Sequence, residues 1–181
     1  MRQVIWAIQV TLDGFIDHTA MIADEETHQY YADLLETVDT EIFGRITYQL
    51  VADYWPTAAQ SGSLNPGELA FANRINDLSK IVFSKSLDHV TWKNTRLDRG
   101  DVVEQVSRLK QESGRYIAIG GGAVANTLML HNLIDEYRFL INPIILGRGT
   151  PLIRNGAQAN LRLVETRTFS SGCVLVVYRP I

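Results

Sequence analysis

Apolar residues fall on both sides of the extended stretch from Arg2 to Thr11, with Val4, Trp6, Ile8 and Val10 on one face and Ile5 and Ala7 on the other. A strand that is apolar on both faces is covered on both, which predicts a central place in a sheet. Short apolar runs predict further strands over residues 40–43, 80–84, 116–119 and 136–142, with a short edge strand over 90–95. Leu161 to Phe169 and Cys173 to Arg179, joined by Ser170-Ser171-Gly172, predict a terminal hairpin. Between these runs the period changes to three and four. Thr27, Tyr30, Tyr31, Leu34, Leu35 and Val38 keep helical spacing behind Asp24-Glu25-Glu26, a cap with first-turn acids. Asn65-Pro66-Gly67-Glu68 opens a helix to about Leu78 with a cap, a proline at the first position and an acid in the capping-box position. A helix from Gly44 through Asp53 is predicted to stop before Tyr54-Trp55-Pro56. Another opens on Asp101 and Glu104 and closes at Gly114, and a last one runs from Val124 to Leu130. Alternating strands and helices over 181 residues predict a single α/β domain, residues 1–181, around a mostly parallel sheet.

Composition narrows function mainly by exclusion. A net charge of -3 gives no electrostatic case for nucleic acid or an anionic membrane as partner. Cys173 is the single cysteine and reads as an inert core thiol; His18, His28, His89 and His131 fall in no metal-ligand spacing, so no metal is expected. No apolar run approaches the ~18 residues of a membrane span, and the chain opens on a strand pattern rather than a charged-then-apolar leader. The expectation is a cytoplasmic protein acting on a small molecule.

Candidate chemistry concentrates where predicted strands turn into helices. Tyr116 to Ile119 passes through Gly120, Gly121 and Gly122 into a helix face of Val124, Ala125, Leu128 and Met129. Such a turn presents free backbone N–H groups and the positive end of a helix dipole, an arrangement that holds phosphate or pyrophosphate. Gly120-x-Gly122-x-x-Ala125 fits a loose dinucleotide fingerprint, although no acid follows about 20 residues on to hold a ribose. Close packing of helix on sheet is the alternative reading of the same glycines. Gly44-Arg45-Ile46-Thr47 adds a hydroxyl and a guanidinium whose planar fork can bond two phosphate oxygens. Ser84-Lys85-Ser86 ends a third strand as a further phosphate contact. Asp13, in the turn Leu12-Asp13-Gly14 after the first strand, is either a turn former or a chemical group aimed at the end of the sheet.

The order of these motifs resembles that of the dihydrofolate reductase-like fold. More closely, it is similar to the reductase half of the bifunctional riboflavin-pathway deaminase–reductases and their stand-alone relatives. The matching pieces are Thr11-Leu12-Asp13-Gly14-Phe15-Ile16, Phe43-Gly44-Arg45-x-Thr47-Tyr48, Ile81-Val82-Phe83-Ser84, Ile119-Gly120-Gly121-Gly122-Ala123, and Asp135-Glu136 with Leu140-Ile141-Asn142-Pro143 and Leu146-Gly147-x-Gly149. The resemblance implies a three-layer fold, with a twisted, mostly parallel sheet flanked by helices and a C-terminal antiparallel hairpin. It also implies NADPH as cofactor and a homodimer built partly from the C-terminal strands and the loop Pro143 to Pro151. By the same match Gly44, Arg45 and Thr47 hold phosphates, and Ser84, Lys85 and Ser86 lie near the adenosine 2′-phosphate. Gly120, Gly121, Gly122, Ala123 and Val124 cover the pyrophosphate. Asp13, the catalytic candidate, and Gly14 lie by the nicotinamide, Trp6 or Ile8 lines the substrate side, and Tyr31 and Trp55 are further pocket candidates.

Two departures bound the resemblance. The first-helix carboxylate of dihydrofolate reductases falls by offset on His28, with Asp33 out of register, so folate reduction is not expected. No H-x-E or P-C-x-x-C deaminase signature is present. The expected activity is NADPH-dependent reduction of a small heterocyclic or sugar-like substrate, similar to that of the 5-amino-6-(5-phosphoribosylamino)uracil reductases. The alternatives are a non-catalytic nicotinamide-nucleotide-binding relative and a divergent dihydrofolate reductase.

Overall fold

The computed structural model describes residues 1–154 and 156–181. Its strands are β1 (Val4–Thr11), β2 (Phe15–Ile16), β3 (Val38–Gly44), β4 (Ser79–Phe83), β5 (Thr95–Asp98), β6 (Tyr116–Gly120), β7 (Glu136–Asn142), β8 (Thr150–Pro151), β9 (Leu161–Thr168) and β10 (Val174–Pro180). Its helices are α1 (Glu25–Glu36), α2 (Arg45–Ala52), α3 (Trp55–Ala58), α4 (Pro66–Asp77), α5 (Val102–Gln111) and α6 (Ala123–Leu130). Eight strands make one sheet in the order β5-β4-β3-β6-β1-β7-β10-β9. From β5 to β7 every pairing is parallel, and β10 and β9 join antiparallel at the far edge.

Alternation along the strands builds the layers. Ile42, Ile81, Ile117 and Ile119 point into one core with Val4, Trp6, Ile8 and Val10 of β1, covered by Val106 of α5 and Val124, Leu128 and Met129 of α6. Their neighbours Phe43, Val82 and Ala118 point the other way, against Leu35 of α1, Tyr48 of α2 and Ile75 of α4. Because a strand side chain reverses face at each residue, short apolar runs in the sequence serve two cores at once. The antiparallel half carries its own cluster, Leu140, Phe169, Cys173, Leu175 and Val177, closed by Tyr30 of α1.

Local signals place the helix starts. Asp24 accepts from the Thr27 N–H, and Asp101 accepts from the N–H groups of Val103 and Glu104. Asn65 and Glu68 form a reciprocal capping box with Pro66 in the first turn. Three differences from the sequence reading have physical causes. The edge strand is Thr95–Asp98 rather than 90–95, because the Tyr48 hydroxyl accepts from the N–H groups of Thr91 and Trp92 and the Trp92 indole N–H donates to Asn76 Oδ1 at 2.6 Å. Those bonds tie the segment to α2 and α4 instead of the sheet. α2 ends before Tyr54 as expected, but a further short helix, α3, follows it, with Pro56 in its first turn, where the missing N–H costs nothing. The ribbon of β2 with β8 is two residues long on each side and straps the turn after β1 to the loop after β7; elements that short leave no periodicity to read.

Candidate functional site

The parallel strands β4, β3, β6 and β1 lie side by side, and all end at the same side of the molecule. Gly44 pairs with Phe83 and Phe43 with Gly120, so the Ser84 turn, the Gly44-Arg45 turn and the triple-glycine turn are neighbours. Gly121 has φ +88, and a Cβ there would strike the Thr47 hydroxyl in the first turn of α2. A Cβ on Gly120 would run into the Phe43 ring. The glycines therefore answer to close approach: they let α2 and the 120–122 turn lie against each other. α2 and α6 start at Gly44 and Gly122, and among the described residues no side chain caps either. Their first-turn N–H groups are left to bond whatever lies over the strand ends.

Arg45 and Thr47 stand in the first turn of α2. Arg45 is exposed, and its only hydrogen bond among the described residues is a long one, 3.5 Å, to Gln49 Oε1. It forms no ion pair there. Ser84 caps its own turn by accepting from the N–H groups of Ser86 and Leu87, while Arg99 donates to the Lys85 carbonyl and leaves the Lys85 side chain exposed. Ala123 and Val124 open α6, where Val124 Cγ2 lies 3.5 Å from the place a Gly44 Cβ would take.

Asp13 is placed differently from a proton donor. Its carboxylate accepts from the Thr11 hydroxyl at 2.6 Å and from the N–H groups of Gly147 at 2.7 Å and Leu146 at 3.1 Å. The Thr11 hydroxyl and then the Gly147 N–H hold its pKa below the usual carboxylate range, so it stays ionised. Its visible work is to fasten the turn after β1, with Gly14 at φ +85, to the loop after β7.

Under the glycine turns lies a cavity of about 260 Å³. Ala7, Gln9, Glu41, Phe43 and Ala118 line its sheet side; His28, Tyr31, Leu34 and Leu35 of α1 and Thr47 and Val51 of α2 form walls, with Trp55 and Phe71 opposite. Trp55 packs on Phe71 at 4.7 Å between ring centres and on His28 at 5.8 Å. His28 Nδ1 lies 2.9 Å from the Asp24 carbonyl. A carbonyl only accepts, so Nδ1 carries the proton in this bond. Burial holds the Tyr31 hydroxyl protonated well past its usual range, and it has no partner among the described residues. Of the substrate-side residues expected from the sequence, Tyr31 and Trp55 line this cavity, and Ile8 borders it along β1 while its side chain packs in the opposite core. Trp6 does not: its ring fills the opposite core against Phe139, and its indole N–H donates to the Gly121 carbonyl at 3.1 Å.

One residue of the cavity escaped the sequence reading. Glu41 is 9% exposed, and its Oε2 has no hydrogen-bond partner among the described residues. Burial pushes its pKa up to about 8, against a smaller opposing pull from Lys80 on the neighbouring strand. The available signal was an acid inside a predicted strand, directly before the apolar pair Ile42-Phe43. A larger groove, about 690 Å³, runs past Met129, Tyr137, Phe139 and Ala157 to Leu161, but among the described residues no Asp, Glu, His, Lys or Arg lines it. Chemistry favours the smaller site.

The fold is shared with known proteins. The sequence matches the RibD C-terminal domain family over residues 2–175. The uncharacterised proteins YyaP and YwjB of Bacillus subtilis (strain 168) are 32% and 31% identical to it over 182 residues, covering 98% and 96% of this chain and 94% and 96% of their own. Among solved structures, a putative riboflavin biosynthesis protein from Shewanella sp. PV-4 shares the fold with a TM-score of 0.74 at 19% identity, over 100% of this chain and 99% of that one. A pyrimidine reductase-like protein from Corynebacterium diphtheriae superposes with a TM-score of 0.68 at 14% identity, over 99% and 92% of the two chains. The diaminohydroxyphosphoribosylaminopyrimidine deaminase/5-amino-6-(5-phosphoribosylamino)uracil reductase of Thermotoga maritima superposes at 0.66 and 19% identity, but this chain spans only 57% of it. With the family matched from residue 2 to residue 175 and the fold shared end to end, the chain belongs to the RibD C-terminal domain family.

Proposed function

We propose that the protein is a reductase that takes a nicotinamide dinucleotide, NADPH in preference to NADH, and reduces a small heterocyclic or sugar-like substrate. The observation that carries this reading is the glycine turn pressed against Thr47, flanked by two uncapped helix starts and opening directly onto a mostly apolar cavity. The glycines serve the packing of that turn against Thr47, and the fit to a pyrophosphate is electrostatic, resting on the first-turn N–H groups of α2 and α6. Gly44, Gly121, Gly122 and the first N–H groups of α2 and α6 are the groups that would hold phosphates, with Arg45 and Lys85 as cations for an adenosine 2′-phosphate. When bound, the cofactor supplies a hydride.

The chain's own part is to bind, orient and dry the site. Trp55, Phe71 and Tyr31 exclude water from the cavity, which strengthens every polar contact made inside it. At about 260 Å³ the space falls below the ~300 Å³ at which pockets for drug-sized ligands begin. It therefore suits one small ring system rather than an extended ligand. The Thermotoga maritima relative carries the name of an aminouracil reductase, and that likeness supports a heterocyclic substrate.

Titration with NADPH and NADH, then cofactor oxidation against a panel of pterins and ribosylaminopyrimidines, tests the proposal. Tighter binding of NADPH and oxidation with at least one substrate is the expected result. Saturable binding with no oxidation would make the protein a nucleotide binder without turnover, and no binding would remove both readings.

A further inference from the structure

Glu41 is an anomaly for a core residue. It sits in the middle of β3 with apolar neighbours Ile42 and Phe43, and it faces the cavity rather than a partner. Lys80, its register partner on β4, is occupied elsewhere: Nζ donates to the carbonyls of Ile75 and Leu78 at 2.8 Å and of Asn76 at 3.3 Å, and lies 4.5 Å from the centre of the Trp92 ring. No ion pair joins Lys80 to Glu41 among the described residues. Glu41 Oε1 lies 3.2 Å from the point a Gly120 Cβ would take, which puts the carboxyl at the junction of the glycine turn and the cavity. A buried polar group without a partner carries a standing cost to the fold, and a site that retains one has use for it when something binds.

We propose that Glu41 is the proton donor of this cavity, hydrogen-bonding through its O–H to a nitrogen or carbonyl oxygen of a small flat ligand and passing the proton to that atom as the adjoining carbon is reduced. The inference rests on the reductase reading above. Reducing a C=N or C=O bond adds a hydride to carbon and a proton to nitrogen or oxygen. The hydride, with its electron pair, comes from the dihydronicotinamide; the Glu41 O–H bond breaks as the new N–H or O–H bond forms. The carboxylate left behind is reprotonated by water. The other titratable groups facing this carboxyl are few. Lys80 approaches from β4, His28 and Tyr31 come from α1, and the remaining elements present the uncharged Gln9, Ala118 and Thr47. Lys80 favours the ionised carboxyl, but burial outweighs it and keeps the acid neutral at pH values below about 8.

Two readouts on the 181-residue protein test this. The infrared difference between wild type and E41Q should show a protonated carboxyl band at neutral pH that titrates near pH 8 and shifts when 6-methylpterin binds. In single-turnover NADPH oxidation with the first substrate found, E41Q should be slower by roughly 10²–10⁴-fold, the range of general acid catalysis. It should also lose the fall in rate above about pH 8 while its NADPH affinity is unchanged. Should E41Q not fold, E41D replaces it and should keep that alkaline fall at a reduced rate. A Glu41 that is already ionised at neutral pH, or an E41Q enzyme with wild-type rate and pH profile, overturns the assignment. A wild type that binds NADPH and reduces nothing overturns the reductase reading itself, and the proton transfer with it.

Discussion

Thr47 and Gly121 meet so closely that the identity of residue 121 decides whether the turn can form. Gly121→Ala forces an L residue to φ +88, at roughly 1–2 kcal/mol. It also drives a methyl group into the Thr47 hydroxyl, adding roughly 1–3 kcal/mol of overpacking. A lower melting temperature together with lost NADPH binding is expected from scanning calorimetry and titration; a variant that melts and binds like wild type would show the approach to be dispensable. Arg45→Ala should weaken NADPH by roughly ten- to hundredfold, the worth of a charge-assisted bond, leave NADH nearly unchanged, and lose its effect as salt is raised. Equal loss for both cofactors would move Arg45 to the shared pyrophosphate. Glu41 makes stability depend on pH in a stated direction. Its folded pKa, about 8, lies above the ordinary 4.5, so the folded chain holds a proton that the unfolded chain has released. That contribution is complete below about pH 4.5 and disappears as pH rises through about 8. Urea titrations should show E41Q gaining on wild type across that window, and a constant difference would mean that Glu41 is ionised throughout. The glycine turns and Arg45 were legible in the sequence because turn chemistry is local. Glu41 was not, since its meaning comes from which helices close over β3.

The same contrast holds between elements. β1, α1 and α4 were readable from within their own segments: two-sided apolar alternation for the first, a cap followed by helical spacing for the others. β5 was misplaced toward Val90 because Trp92 looks like an inward strand residue until Tyr48 and Asn76, both distant in sequence, are seen to hold it. Asn76 is the hub of that arrangement. Its Nδ2 donates to the carbonyls of Trp55 at 2.9 Å and Ala72 at 2.8 Å, and its Oδ1 accepts the Trp92 indole N–H. Asn76→Ala would strand the Trp92 donor and the Trp55 carbonyl, and a loss of roughly 2–4 kcal/mol is expected for unmaking such buried bonds. A urea midpoint near that of wild type would contradict it. Because Trp55 is a wall of the cavity, the same variant should bind substrate less well even where it remains folded.

At the scale of the whole molecule, the sheet has one edge closed by little. β9 is exposed along nearly its whole length, with Leu163 and Val164 at 54% and 43% of their full exposure, and Leu12 and Ile145 stand out at 64% and 73% around the loop after β7. An open strand edge beside exposed apolar side chains suits pairing with a second copy, and we propose a homodimer through these surfaces. Light scattering at micromolar concentration should give twice the 20.3 kDa chain mass; the single-chain mass would refute it. The proposed nucleotide cradle lies at the ends of β3 and β6. Trp55 lines the adjoining cavity and Trp6 donates to the Gly121 carbonyl, so intrinsic tryptophan emission reports on the site. Titrating the wild-type protein with NADPH should quench that emission saturably, with a dissociation constant below about millimolar, the weak end of useful affinity, and Gly121→Ala should abolish the response. Emission that falls only in proportion to added NADPH, with no saturation and no difference between the two proteins, would mean that the glycine turn holds no nucleotide.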